Sequence, residues 1–374
     1  MNFDFSDDQK QLQDQARRFL ADKCPTTAVR AVLEGGQTYD RALWIELGEM
    51  GFLGAAIPEE FGGVGLGHLE LCVIAEELGR AIAPVPVSSS IYLAAEFLMA
   101  AGSEDQKRAW LPKLASGETI GTFAYGEGLG RVTETSIKAA VAGGKLSGTK
   151  SPVPDGEIAD VAVVAAREGG KVSLYLVDLN GPGVTRETVE SIDPTRGQSV
   201  LTFKDAPAER LGAAGEGWRL AAEVMDRAAI LLAFEQVGGS DRALEMGRDY
   251  ALDRMAFGRP IGSFQAVKHI LADMYVSATL ARSNAYYGAW ALSTGSSELP
   301  VAAATARVSA TQAFQHCSKN NIQVHGGMGF TWAFDCHMYY RRSNNLALTL
   351  GSQSTWEDLL IDRLRQRNDT PAAA

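Results

Sequence analysis

The chain has 374 residues, 35 Lys and Arg against 45 Asp and Glu, a net charge of −10 and 46% hydrophobic residues. That composition suits a folded globular protein and excludes a disordered one, and the acidic balance argues against a general nucleic-acid binder, which needs a positive field. There is no apolar run long enough to span a bilayer, no CxxC pair and no HExxH, so no membrane, disulfide or metal framework is expected.

In chain order, Ser6 with Gln9 forms a capping box, and Leu12, Ala16, Phe19 and Leu20 follow at helical spacing. The acidic start before it has no signal-peptide core, so the expected compartment is the cytoplasm. Cys24, Cys72, Cys317 and Cys336 accordingly read as reduced thiols. A second helix is expected over Tyr39 to Met50, ending in the breaker segment Gly51 to Pro58. A glycine-rich loop, Glu59 to Gly67, comes next. Helices are then expected over Leu69 to Gly79, Ser89 to Ala101 and Glu104 to Leu114.

After Gly117 the pattern changes to short strand-like runs: Ile120 to Tyr125, Val161 to Ala165, Lys171 to Asp178 and Val200 to Phe203. Pro154 to Gly156 and Asn180 to Gly183 are turn signals. In the third run Val172, Leu174 and Leu176 fall on one face. No helix fits between the runs, so a small antiparallel sheet or barrel is expected rather than a parallel βαβ sheet. Helices return at Glu216. One spans Trp218 to about Phe257. Ser263 is the expected N-cap of the next, which carries Phe264, Val267, Leu271 and Met274 on one stripe. Pro300 to Asn320 is alanine-rich and suited to close packing. Ser354 with Glu357 reads as another capping box, and the tail Asn368 to Ala374 is expected to fray. The fold class is α+β, mainly α: residues 1–117 helical, 118–212 a β domain, 213–374 a helical bundle.

Three patterns bear on chemistry. Gly126-Glu-Gly128-Leu-Gly130-Arg131 holds part of a dinucleotide fingerprint, but Arg131 replaces its last glycine and no amphipathic helix follows, so a turn between strands is the better reading. Arg254 to Gln265 sets a guanidinium beside an aromatic ring, with an amide further on, a set able to clamp a phosphate and stack on a flat ring. Ordinary connection chemistry, a helix end at Gly258 and a restart after Pro260, accounts for half of that segment. Gln323-Val-His325-Gly326-Gly327-Met-Gly329-Phe330 permits close backbone approach and offers N–H groups to an anion. A helix C-cap with a tight turn explains the same residues, and His325 reads equally as a capping residue or a ligand contact.

Taken together, these segments resemble the acyl-CoA dehydrogenase family over almost the whole chain. Leu53 to Gly67 and Ser103 to Gly117 are similar to its N-terminal signatures, and Arg254 to Gln265 and Gln323 to Phe330 to its C-terminal ones. The resemblance implies an N-terminal helical domain, a middle β-barrel-like domain and a C-terminal four-helix bundle. It also implies FAD, an acyl-CoA substrate, an electron-transferring flavoprotein as acceptor and a tetramer built as a dimer of dimers. Arg254, Phe257, Gln265, Gln323, Gly326 and Gly327 are the residues that, by this resemblance, reach the FAD of a neighbouring subunit. Ser191 to Arg196 and Gly329 to Trp332 look most like the bacterial branch that handles bulky acyl-CoAs such as steroid side chains.

The chain departs from the family where the reaction needs a base. A carboxylate must take the α-proton while the flavin accepts the β-hydride. One branch carries that Glu after the Gly-Gly pair, at the place held here by Leu350. The other carries it on the helix before Arg-x-x-Phe, at the place held by Ala228. Neither residue is a base. Asp226 and Glu235 are the nearest carboxylates on that helix, Glu235 roughly 10 Å further along it than Ala228. The family's Thr-Glu-Pro-Gly loop reads Gly126 to Thr133 here, and its flavin-covering Trp-Ile-Thr reads Pro152-Val-Pro154. The expected protein is therefore the base-lacking subunit of a heteromeric dehydrogenase with a paralogous partner. Two alternatives stand beside it: a self-sufficient homotetramer with a displaced base at Asp226 or Glu235, and a FAD-free acyl-CoA-binding or scaffold protein.

Overall fold

The computed structural model describes residues 5–369. Asn368 and Asp369 are helical, and the rest of the tail expected to fray lies outside the described residues. In chain order, α1 (Asp7–Lys23), α2 (Thr26–Gly35), α3 (Arg41–Glu49), α4 (His68–Arg80), α5 (Val87–Ser89), α6 (Glu96–Ala101) and α7 (Glu104–Ser116) come first. The strands follow: β1 (Gly121–Ala124), β2 (Ala140–Ala142), β3 (Lys145–Pro154), β4 (Val161–Glu168), β5 (Lys171–Asp178), β6 (Val184–Val189), β7 (Gln198–Pro207) and β8 (Glu209–Leu211). Then come α8 (Gly217–Asp253), β9 (Met255–Ala256), β10 (Arg259–Pro260), α9 (Gln265–Ser293), α10 (Leu299–His325), α11 (Cys336–Leu348) and α12 (Gln353–Asp369). Two compact units result. A sheet unit holds Arg30–Leu71 and Pro84–Ala228, and a bundle unit holds the chain up to Val29, Cys72–Ala83 and the chain from Ala229.

In the sheet unit the strand order is β6-β7-β3-β2-β4-β5-β8, with β1 beside β4. Most pairs are antiparallel, as expected, but β1–β4 and β2–β4 run parallel. The expected one-sided alternation of β5 is not found: Ser173, Tyr175 and Val177 are buried along with Val172, Leu174 and Leu176. The cause is the start of α8, where Gly217 lies so close that a Cβ would stand 2.6 Å from Ser173 Cα. Between α5 and α6 the backbone winds as a π-helix, Ser90–Ala95, with every residue buried. Ser90 Oγ accepts the Gly121 N–H at 3.0 Å, and Gly121 has no room for a Cβ against Ala94. A small residue on each side lets the strand press onto the helix.

In the bundle unit the capping box at Ser6 is present, with Gln9 N–H donating to Ser6 Oγ at 3.2 Å and Ser6 N–H to Gln9 Oε1 at 2.9 Å. Ala243, Met274, Ala278 and Cys317 form a buried cluster of α8, α9 and α10. Where α4 crosses α8 the backbones touch: a Cβ at Gly79 would stand 1.8 Å from Glu235 O, and one at Gly238 1.9 Å from Glu76 O.

Three expected boundaries move. Helix α8 stops at Asp253, because Met255–Ala256 turns into a hairpin with Arg259–Pro260. Ser263 does not cap α9: its hydroxyl donates to Pro260 O at 2.7 Å, and Phe264 occupies the N-cap. Ser352, not Ser354, caps α12 by accepting the Thr355 N–H at 3.3 Å. Helix α11 carries no side-chain cap, because Asp335 before it makes no cap bond.

Candidate active site

The hairpin after α8 is a two-residue turn, Phe257-Gly258, with φ of 52° and 79°. Two positive φ values mark a type I′ turn, which normally takes Asn or Gly, so a bulky ring there is held against its backbone preference. That turn presents Phe257 almost wholly to solvent, 96% exposed. Arg254, at the base of the hairpin, is also exposed, and its carbonyl accepts the Ile261 N–H at 2.8 Å. Gln265 opens α9 and Gln323 lies on the last turn of α10, both exposed.

One stack brings the two segments to the same end of the bundle unit. Tyr250, one turn before Arg254, stacks on His325 with ring centroids 4.1 Å apart, and Phe334 meets the same imidazole edge-on at 5.7 Å. Beyond His325, a Cβ built on Gly326 or Gly327 would meet nothing within 4 Å, so the backbone is open to an approaching ligand. The Gly326 N–H is already bonded to Gln323 O, so this glycine offers space rather than the anion donor expected of it. A guanidinium, an exposed ring, two amides and bare backbone at one end of a bundle fit a dinucleotide.

The sheet unit contrasts with this. The Gly126 and Pro152 segments are neighbours, joined by Ser151 N–H to Gly126 O and Gly128 N–H to Ser151 O, both at 2.9 Å. The Ser151–Pro152 peptide is cis. Behind them the fully buried Lys150 donates to Glu127 Oε1 at 2.7 Å and Tyr125 O at 3.2 Å. Burial pulls the Lys150 pKa down, against the bond to Glu127. Burial alone would raise Glu127, but Lys150 and the Ala139 and Lys138 N–H groups hold it below the usual carboxylate range. Gly126 has no side chain, Val153 is fully buried, and the hydroxyl of Thr122 on β1 is engaged with Pro154 O at 2.6 Å. Gly126 has no hydroxyl and Pro152-Val153-Pro154 no flat ring to offer a flavin, and the Thr133 hydroxyl at the end of the first segment lies 3.1 Å from Thr135 Oγ1.

Of the positions expected to bear on the base, Ala228 and Asp226 lie on the part of α8 in the sheet unit, both buried. The same unit holds a charge cluster that nothing in the sequence pattern marks. The fully buried Glu96, where α6 leaves the π-helix, meets His68 Nε2 at 2.7 Å and Arg227 Nη1 at 3.4 Å. Leu350 lies in the bundle unit, in the turn after α11, with φ of 65° and its carbonyl accepting Trp356 Nε1–H at 3.0 Å. Glu235 is fully buried in that unit, and its Oε1 lies 3.8 Å from Arg342 Nη1.

The structure also adds Arg307, which pattern reading missed inside an alanine-rich helix. Fully buried, it donates to Gln236 Oε1 (2.6 Å), Thr311 Oγ1 (2.9 Å), Leu346 O (2.5 Å) and Thr349 O (2.7 Å). Burial depresses its pKa and the charge of Glu235 opposes that. Glu235 and the turn bearing Leu350 thus flank one guanidinium. Among the described residues no group of three or more His, Cys, Asp and Glu is placed to hold a metal ion, and no helix is long and apolar enough to cross a membrane.

Comparison with known proteins agrees with this layout. The acyl-CoA dehydrogenase N-terminal domain family matches residues 6–118 and the corresponding C-terminal domain family matches residues 215–364. The acyl-CoA dehydrogenase IpdE2 of Mycobacterium tuberculosis is 32% identical over 92% of this chain and 94% of its own length. Among solved structures, the ChsE4-ChsE5 complex of the same organism aligns with a TM-score of 0.89 and 29% identity over 100% of both chains. The Tcur3481-Tcur3483 steroid ACAD aligns with a TM-score of 0.88 and 31% identity over 97% of this chain and 99% of that one.

Proposed function

The chain belongs to the acyl-CoA dehydrogenase family of FAD-dependent oxidoreductases, and we propose that it is the base-lacking subunit of a heteromeric member acting on a bulky, steroid-like acyl-CoA. The observation that carries this reading is the asymmetry of its two half-sites. The bundle end offers Arg254, Phe257, Gln265, Gln323 and open backbone at Gly326 and Gly327, all accessible. The sheet unit offers a glycine and a Pro-Val-Pro strand where a flavin needs a hydroxyl and a ring, and Ala228 and Leu350 cannot hold a proton. Two similar structures bear paired chain names, ChsE4-ChsE5 and Tcur3481-Tcur3483, which supports a two-chain assembly.

In this reading Arg254 clamps the dinucleotide phosphate, Phe257 stacks on a flat ring, Gln265 and Gln323 bond its polar edges, and the glycines leave room for it. When bound, FAD supplies the acceptor for the β-hydride of the thioester. A paralogous chain contributes the carboxylate that takes the α-proton, and an electron-transferring flavoprotein removes the electrons. Four buried cysteines outside any disulfide fit the reducing cytoplasm.

The test is to purify the chain alone and with a paralogous dehydrogenase subunit that retains the Glu, then record the flavin spectrum and acyl-CoA turnover. Flavin and turnover only in the pair are expected. Turnover by the chain alone would overturn the proposal and favour a displaced base. Asp226, buried two residues before Ala228, is then the residue to examine, since Asp226→Asn would abolish that activity. Absence of flavin in both preparations would favour a scaffold.

A further inference from the structure

We propose that His325 is a hydrogen-bond acceptor for the sugar or base part of the dinucleotide, its Nε2 lone pair taking an O–H or N–H of FAD rather than facing a phosphate. This rests on the reading of Arg254, Phe257 and the Gly326–Gly327 backbone as a FAD half-site.

The tautomer is fixed by the fold. His325 is the last residue of α10, and its Nδ1 lies 2.8 Å from Asn321 O, one turn back. A carbonyl only accepts, so Nδ1 carries the proton and Nε2 keeps its lone pair. The two ring nitrogens point in nearly opposite directions, so with Nδ1 aimed back along the helix, Nε2 aims forward past its C-terminus. The next two residues, Gly326 and Gly327, leave the backbone beyond that end open to an approaching ligand. The ring is only 7% exposed, clamped by Tyr250 and Phe334, yet no donor among the described residues reaches Nε2.

Charge at this spot selects for a donor. The groups facing the imidazole are the Tyr250 ring from α8, the Phe334 ring and the Asn321 carbonyl from α10, and no carboxylate or cation acts on its pKa. Burial depresses the His325 pKa, opposed by the Asn321 carbonyl, and keeps the ring neutral at neutral pH. A 27-residue helix also ends here, and its C-terminal pole repels an anion and favours a donor.

The sign of the pH dependence decides the matter. FAD affinity is measured from about pH 8 to about pH 5 on whichever preparation binds it, the chain alone or its complex with the paralogous subunit. Protonation of Nε2 removes the acceptor, so wild-type affinity is expected to fall toward low pH as the imidazole titrates, by up to about tenfold. His325→Gln keeps an acceptor that does not titrate and should give a flat profile. His325→Phe keeps the ring stack and should bind about tenfold more weakly at high pH. A phosphate against His325 would give the opposite slope, with binding strengthened as the imidazole becomes cationic. Wild-type affinity that rises toward low pH, or a folded His325→Phe that binds like wild type, overturns the assignment. If His325→Phe fails to fold, the wild-type and His325→Gln profiles still decide, together with the imidazole nitrogen shifts, which must show Nδ1 protonated and Nε2 bare. Wild type that binds no FAD, with or without the partner, sinks the half-site reading and this inference with it. A His325→Phe result equal to a binding wild type sinks this inference alone.

Discussion

Replacing Gly238 with alanine separates local from tertiary reasoning by the sign of its effect. In the interior of a helix, alanine is favoured over glycine by roughly 1 kcal/mol. At the α4–α8 crossing, however, the new Cβ would stand 1.9 Å from Glu76 O, whereas a tolerable contact begins at 3.0 Å, so the helices must part by about 1 Å. Overpacking of that kind costs about 1–3 kcal/mol. The shift also disturbs the buried Glu76 carboxylate, 2.8 Å from Arg282 Nη1, whose attraction to the guanidinium depends on close geometry. Subtracting the propensity gain of roughly 1 kcal/mol leaves a net loss of up to about 2 kcal/mol from overpacking, and the disturbed Glu76–Arg282 pair adds to it. Gly247→Ala on the same helix is the control. Its Cβ would meet Leu271 Cδ2 at 3.4 Å, an ordinary contact, so stability should rise by roughly 0.5–1 kcal/mol. Urea unfolding followed by circular dichroism measures both against wild type, with the slope checked for constancy. A Gly238→Ala protein as stable as wild type would refute the crossing argument.

Further outcomes follow from other sites. Arg307→Leu should cost about 3–5 kcal/mol, because Leu346 O and Thr349 O lose their donors and Glu235 loses a neighbouring cation. Limited proteolysis of that variant should show earlier cleavage near Leu350. At His68, burial alone would lower the pKa, but the charge and hydrogen bond of Glu96 outweigh it, and the folded value lies above the ordinary one. His68 therefore adds stability that is complete below its unfolded pKa, about 6.5, and is lost as pH rises through the folded value. The melting temperature of wild type relative to His68→Gln should fall across that window, and the difference should disappear in a Glu96→Gln background. Phe257→Gly removes a side chain from a left-handed position and should relieve about 1 kcal/mol of strain. FAD binding should weaken about tenfold in the same variant, as expected from loss of an aromatic contact.

Much of the architecture is legible along the chain. The Ser6–Gln9 capping box, the helical spacing after it, the four strand runs and the alanine-rich α10 all depend on neighbours within a turn or a few residues, and all were formed where expected. Elements without such local punctuation were missed. Helix α11 has no side-chain cap, β6 is half-exposed along its length, and β9–β10 interrupts what reads as one long helix. Ser263 and Ser354 carry the right chemistry for caps, yet the turn at Pro260 and the reversal at Gly351 place other residues at the helix starts.

The amino-acid sequence by itself determined the family and the helix–sheet–helix order, because motifs and helix or strand periodicity are written residue by residue. The tertiary structure decided what the remaining residues can do. Glu235 looks like a spare carboxylate on a helix until Arg342 and Arg307 are found beside it in a buried core. His325 reads equally as cap or contact until Asn321 O fixes its proton and Tyr250 and Phe334 fix its ring. Gly238 looks replaceable until the backbone of α4 arrives against it. In each case the deciding partner is set by how the helix carrying it packs or turns, and spacing along the chain carries no record of that.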